Sequence, residues 1–246
     1  MRPSPPSTVF FDLDETLVEN RRPIPELFRD VYTAFTGTLG EEHENAYFAA
    51  LRIHAGHIWD KMFESDISPE QQFANCFSQA AIDIDVVDAE AADQLGNAML
   101  DEYIRLSSAN VVPHHDAIAT LNNLREAGFG VGIITNGIER VQSGKIAHLE
   151  LSQHVDHITI SAQARAHKPR LEVFKLALER ANADASQAWQ VGDHATNDVA
   201  GAIRAGMGGI FYDPAGHRRH SAFDDLPEQP SHTVSSLKEV FDLATR

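Results

Sequence analysis

The stretch that most restricts the fold is Val9-Phe10-Phe11-Asp12-Leu13-Asp14-Glu15-Thr16-Leu17, where a short apolar run meets two acids. Alternate residues of a strand share a face, so Asp12 and Asp14 leave the carboxyl end of such a strand on the same side. Two carboxylates held together repel each other, and their pairing calls for a cation or a proton-transfer task.

The apolar run is continuous rather than alternating, as in a strand buried on both faces of a parallel sheet. Residues 131–135, 188–191 and 209–212 have the same character, with 157–160 a weaker fifth run. Helix-like sequence separates them. Residues 116–127 carry Ile118, Leu121 and Leu124 on one face, with Gly128 as the stop. Residues 169–181 place Val173, Phe174, Ala177, Leu178 and Ala181 at helical spacing, and residues 197–205 run to Gly206. Such alternation predicts an α/β fold built of right-handed βαβ units, a Rossmann-like parallel sheet core.

The alternation breaks early. Between Asn20 and about Asn110 there is no strand pattern, only amphipathic stripes. Leu27, Phe28, Val31 and Phe35 form one; Tyr47, Leu51, Ile58, Trp59, Met62 and Phe63 form another. Ser68-Pro69-Glu70-Gln71 reads as a capping-box start, and Val87, Ala91, Leu95, Met99 and Tyr103 recur every fourth residue. The expected organisation is a core of residues 1–20 and 110–246 with an inserted all-helical cap of residues 21–109. Residues 213–232, with Pro214, Gly216, Pro227 and Pro230, read as a long loop before a helix over 236–244.

The 246 residues suffice for a core with a sizeable insert. A formal net charge of −16 argues against a nucleic-acid polymer or an anionic membrane as partner. It also repels a small anion at long range, so any anion site must be made attractive locally, by a metal ion, a lysine or backbone N–H groups. No apolar stretch approaches the roughly 20 residues of a membrane span. The Pro- and Ser-rich start, Met1 to Thr8, has no apolar signal core, which argues against secretion. A single cysteine, Cys76, cannot form an internal disulfide, reads as a buried helix residue, and fits a reducing cytoplasm.

Three more polar clusters follow strands or open helices: Ile133-Ile134-Thr135-Asn136-Gly137, Lys168-Pro169, and Gly192-Asp193-His194-Ala195-Thr196-Asn197-Asp198. Singly they have ordinary explanations: turn chemistry for the first, an exposed lysine for the second, a helix-dipole acid for Asp198. Taken in order with Asp12-x-Asp14-x-Thr16, they resemble the four motifs of the haloacid dehalogenase superfamily in its phosphatase form. The resemblance spans residues 8 to 213, and the insert resembles that family's C1 helical cap only in being helical.

The resemblance implies a Mg²⁺-dependent phosphomonoesterase acting on a small phosphorylated metabolite, with a nucleoside monophosphate or a sugar phosphate as candidates. It makes Asp12 the nucleophile and Asp14 the general acid and then base. It assigns the metal to the Asp12 and Asp193 carboxylates and the Asp14 main-chain carbonyl, with Asp198 a further ligand or an anchor. Lys168 would neutralise a phosphoryl oxygen, and the Thr135 hydroxyl and Asn136 N–H would hold another. Within the family, Asp14 separates phosphatases from dehalogenases, where a Tyr is typical; a phosphomutase keeps both acids and stays open. The 133–137 segment looks like branches that include pyrimidine nucleotidases and acylneuraminate-9-phosphate phosphatases. Two non-enzymatic readings compete. A receiver-type signalling domain uses similar groups, but its short chain has no helical insert. A phospho-ligand binder without turnover is harder to reconcile with an intact acid–lysine set. Oligomeric state is open.

Other features carry less. The 13 histidines suggest zinc, through His54 with His57 or His114 with His115, yet no third ligand accompanies either pair. Gly128, Gly130 and Gly132 precede and enter a strand, the wrong side for a dinucleotide loop, and point to close packing. His217-Arg218-Arg219-His220 reads as a solvated loop. Arg21 and Arg22 enter the insert, as substrate contacts or as surface charges. His194 and His114 depart from the family pattern without removing any assigned role.

Overall fold

The computed structural model describes residues 6–56, 58–216 and 223–246, and only the main chain of Asp60. Its strands are β1 (Thr8–Phe11), β2 (Val18–Asn20), β3 (Val111–Pro113), β4 (Gly130–Thr135), β5 (His157–Ile160), β6 (Ala188–Gly192), β7 (Gly208–Tyr212) and β8 (His232–Val234). The chain divides into two units, Met1–Asn20 with Val111–Arg246, and Arg21–Asn110.

The first unit is built on a six-stranded sheet of order β5-β4-β1-β6-β7-β8, parallel throughout. Both faces of β1 are covered, which explains its unbroken apolar run. Val9 and Phe11 pack with Leu121 and Leu124 of the helix Ala117–Glu126 and with Leu237 and Val240 of the helix Leu237–Ala244. Phe10 packs oppositely, with Val173, Phe174 and Ala177 of the helix Leu171–Ala181. Each such side chain contributes about 1.5–3 kcal/mol on burial. Gly132 is opposite Phe10 in the β1–β4 register, and a Cβ there would lie 2.6 Å from the Phe10 ring. Gly132 therefore marks close packing, whereas Gly128, at φ +90° with open space around it, ends the helix.

From β1 the sheet grows through β4 to β5, then the chain crosses back to β6 on the other side. The winding reverses beside β1, so the carboxyl ends of β4, β1 and β6 are neighbours at the position where open α/β sheets form their binding crevice.

Three local expectations need correction. The sheet has a sixth strand, β8, directly after the loop read over 213–232, and an antiparallel β2–β3 pair flanks the insert. Each of these strands has three residues, too few for a period to register. Residues 197–205 are not one α-helix: Ala195–Ala200 is π-helical and Gly201–Arg204 α-helical.

The second unit is all helical, with its longer helices at Ile24–Ala34, Glu44–Ala55, Pro69–Asp83 and Ala89–Ala109. Ser68 caps the third of these by accepting from the Gln71 N–H at 3.1 Å. The Gln71 side chain turns instead to Asn75, so only half of the expected capping box forms. In Ala89–Ala109 the buried face is Ala92, Leu95, Gly96, Met99, Leu100 and Tyr103, while Ala91 is exposed. A Cβ on Gly96 would lie 2.5 Å from the Ala74 carbonyl, so glycine permits the close approach of the last two helices. The single stripe expected over 47–63 divides into Glu44–Ala55 and Ile58–Lys61. Asn110 closes the unit on its own start: its Oδ1 accepts from the Arg22 N–H at 3.1 Å and its Nδ2 donates to the Arg22 carbonyl at 2.9 Å. The Arg22 guanidinium pairs with Asp30, in keeping with a surface role. The unit also has a groove of about 460 Å³, walled by Phe28, Phe48, Phe73 and Phe77, with Arg29 and Arg52 among its polar groups.

Candidate active site

Asp12 follows the last residue of β1, and its N–H donates to the Val191 carbonyl at 2.8 Å, continuing the strand pairing. Its buried carboxylate accepts from Lys168 Nζ at 2.6 Å. The same ammonium donates to Asp198 Oδ1 at 2.6 Å and to the Ile134 carbonyl at 2.9 Å. All three N–H bonds of a lysine are thereby used, which is what a buried ammonium requires. Asn136 places Lys168 from the other side: its Oδ1 accepts from the Lys168 N–H at 2.8 Å and its Nδ2 donates to the Lys168 carbonyl at 3.1 Å. The side chain of Asn136 thus positions the lysine, a contact the sequence did not reveal.

Gly192 and Asp198 explain the spacing of the last motif. A Cβ on Gly192 would lie 2.2 Å from the Asp198 Cγ, so only glycine lets that acid fold back over the end of β6. The π-helical turn delivers it, with the Val199 N–H reaching the His194 carbonyl five residues back at 3.4 Å. Asp198 Oδ1 also accepts from Gln190 Nε2 at 3.2 Å, and Oδ2 accepts from the His194 N–H at 3.2 Å. His194 Nδ1 accepts from the Asn197 N–H at 3.2 Å and so caps the turn. The buried Thr16 hydroxyl accepts from the Asp193 N–H at 3.2 Å, linking the first and last motifs.

Asp12, Asp193 and Asp198 bring carboxylate oxygens within 4.8 Å of one another. Burial first, then repulsion from Asp198 and Asp14, pushes the Asp12 carboxyl up to about 8 against the opposing pull of Lys168. Burial also works against the charge on Lys168, but Asp12 and Asp198 outweigh it and hold its pKa above the ordinary lysine value. One lysine does not compensate these acids. Hard oxygen donors around excess negative charge fit a small divalent cation such as Mg²⁺. Of the three, Asp198 is also engaged by Lys168, Gln190 and the His194 N–H. Asp12, Asp14, Thr135, Asn136, Lys168, Asp193, His194, Asn197 and Asp198 line a cleft of about 130 Å³.

Asp14 is held separately. Lys145 Nζ donates to its Oδ1 at 2.7 Å and Gln142 Nε2 to its Oδ2 at 2.8 Å. Both partners come from the helix Glu139–His148 and are buried. Sequence reasoning missed them because they lie outside the family's short motifs. His167, beside Lys168, bonds Ser161 through Nδ1 at 2.9 Å, and burial pushes its pKa down to about 4.

The described histidines join no cluster of metal-ligating side chains. His54 bonds Asp83 at 2.8 Å, whereas His57 and the segment His217-Arg218-Arg219-His220 lie outside the described residues. Cys76 is free and buried, and burial pushes its thiol up to about 11. No described helix is long and apolar enough to cross a membrane.

A parallel α/β sheet with a helical insert after its first strand, and an acid–lysine cluster at the central strand ends, fits a class of hydrolytic enzymes whose site lies beyond the carboxyl ends of the strands. The sequence profile of the haloacid dehalogenase-like hydrolases matches residues 9–211, and the chain belongs to that family, as an enzyme of its phosphatase branch. It is 30% identical over 240 residues to the pyrimidine 5'-nucleotidase YjjG of Escherichia coli (strain K12), with 96% of each chain covered. It is 32% identical over 154 residues to the ribulose-1,5-bisphosphate 5-phosphatase of Halopiger xanaduensis, covering 61% of this chain and 63% of that relative. Among solved structures, a 2-haloacid dehalogenase from Pseudomonas syringae pv. Tomato DC3000 superposes with a TM-score of 0.78 at 25% identity, covering 98% of each chain.

Proposed function

We propose that the protein is a Mg²⁺-dependent phosphomonoesterase that works through an aspartyl-phosphate on Asp12, with a small nucleoside monophosphate as the first candidate substrate and a sugar phosphate as the second. The observation that carries this reading is the division of labour between two acids. Asp12 faces the cleft beside Lys168, while Asp14 is held apart by Lys145 and Gln142.

The Asp12 carboxylate attacks phosphorus, the ester P–O bond breaks, and the departing oxygen takes a proton from Asp14. Asp14 then accepts a proton from water as its oxygen attacks phosphorus, the Asp12–phosphorus bond breaks, and inorganic phosphate leaves. Lys168, the Thr135 hydroxyl and the Asn136 N–H stabilise the charge on the phosphoryl oxygens. Asp193 and the Asp14 carbonyl complete the cation site with Asp12, and Asp198 anchors Lys168. When bound, Mg²⁺ supplies the positive charge that lets a carboxylate approach a phosphate dianion. The nucleoside preference is supported by the 96% mutual coverage with the E. coli nucleotidase. A phosphate-release screen over nucleoside monophosphates and sugar phosphates, with Mg²⁺ and with EDTA, tests the reading. Release from none of them, with metal present, would refute it.

Dehalogenation is the second reading, favoured by the likeness to the P. syringae dehalogenase. A halide leaves without a proton, so that reaction has no use for a held acid at residue 14. Chloride release from 2-chloropropionate without phosphate release from any ester would establish it instead.

A further inference from the structure

Gln142 uses both hydrogens of one amide group at the site: Nε2 donates to Asp14 Oδ2 at 2.8 Å and to Thr135 Oγ1 at 2.6 Å. Receiving that bond leaves the Thr135 hydroxyl free to donate its own hydrogen, since the Asn136 carbonyl, at 3.4 Å, is a long acceptor. Lys145 occupies the other Asp14 oxygen at 2.7 Å. Two buried polar side chains on one helix face cost desolvation and ordering entropy, and each is offset here by contact with the cleft. The backbone is adapted to Gln142 as well. A Cβ on Gly137 would lie 2.6 Å from the Gln142 Cγ, so the glycine after Asn136 makes room for that side chain.

We propose that Gln142 and Lys145 are positioning residues that fix the Asp14 carboxylate for proton transfer to the leaving oxygen, with Gln142 also setting the Thr135 hydroxyl as a donor. The inference rests on the phosphomonoesterase reading and deepens it. Attack by Asp12 does not pass through Lys145, whose loss slows only those steps that need a proton from or to Asp14. Loss of Gln142 slows those steps and also weakens the Thr135 donor that attack uses.

The test compares leaving groups in single-turnover experiments with Mg²⁺. An alkyl phosphate needs a proton on its departing oxygen; p-nitrophenyl phosphate, which releases a stable phenolate, does not. Gln142→Met and Lys145→Met should slow the alkyl ester by about 10²-fold, within the range of general acid catalysis. Cleavage of p-nitrophenyl phosphate by Lys145→Met should stay within about threefold of the unaltered protein, as a phenolate burst followed by slow turnover, and by Gln142→Met should fall less than the alkyl ester does. Lys145→Arg should recover part of the alkyl rate. Gly137→Ala, which displaces Gln142 from the backbone side, should reproduce the Gln142→Met pattern and serves if either methionine variant fails to fold. Equal loss with both esters, or no loss with either, overturns the proposal. Unaltered protein inert toward both esters is a distinguishable result that overturns the phosphomonoesterase reading, and this proposal with it.

Discussion

Lys168 Nζ lies 2.6 Å from Asp12 Oδ1, joining residues 156 positions apart, and the same ammonium lies 2.6 Å from Asp198. Lys168→Met would leave two buried carboxylates facing each other. Breaking such a buried pair from one side costs about 3–5 kcal/mol. Urea unfolding in EDTA should show a loss of that order, and phosphate release should fall by about 10²–10³-fold, as for removal of a preorganised donor. Unchanged stability and rate would contradict the assigned role.

Gly192→Ala tests the last motif from the backbone. The new Cβ would lie 2.2 Å from the Asp198 Cγ and 2.4 Å from its Oδ2, so the acid must leave Lys168. Activity should drop by at least the Lys168→Met amount. A Gly128→Ala control has open space and only an unfavourable φ of +90°, and should cost about 1 kcal/mol without affecting turnover.

The raised Asp12 pKa predicts a pH dependence with a definite sign. Its ordinary value is 3.8 and burial takes it to about 8, so in EDTA the folded protein holds more protons than the unfolded chain between those values. This group alone therefore makes stability fall as pH rises from about 4 to about 8. Asp12→Asn should flatten that slope in thermal melts. Because a cation binds the ionised form, the increase in melting temperature on adding Mg²⁺ should grow from pH 6 to pH 9. A Mg²⁺ shift that shrinks over this range would contradict the cation assignment.

Asp14 and the cation should separate. Asp14→Asn keeps the main-chain carbonyl, so the Mg²⁺-induced melting shift should persist while alkyl phosphate turnover is lost. Loss of the shift together with turnover would place the Asp14 carboxylate on the metal instead.

Much of this arrangement was legible in the sequence because it depends on short-range patterns. Continuous apolar runs gave five of the six strands of the main sheet, and the end of each run located the acids, Thr135 and the loop carrying Asp193. The long helices of the insert were visible as stripes, but Ala91 was placed on the wrong side of its helix. An every-fourth-residue rule drifts against the true 3.6-residue turn. The three-residue strands were too short to register, and the π-helical turn carries Asp198 to Lys168, a contact between distant segments that local patterns do not reveal. Gln142 and Lys145 were missed for the same reason. Their partner Asp14 is 128 and 131 residues away, and nothing local distinguishes them from solvent-facing helix polars.

The central claim is that Asp12 carries the phosphoryl group. Rapid acid quenching of the Mg²⁺-bound protein during turnover of a ³²P-labelled ester measures this most directly, with the labelled residue located by peptide mapping. A transient, hydroxylamine-sensitive label on Asp12, absent from Asp12→Asn, is the predicted result. Full turnover by Asp12→Asn, or a label on any other residue, would contradict the account.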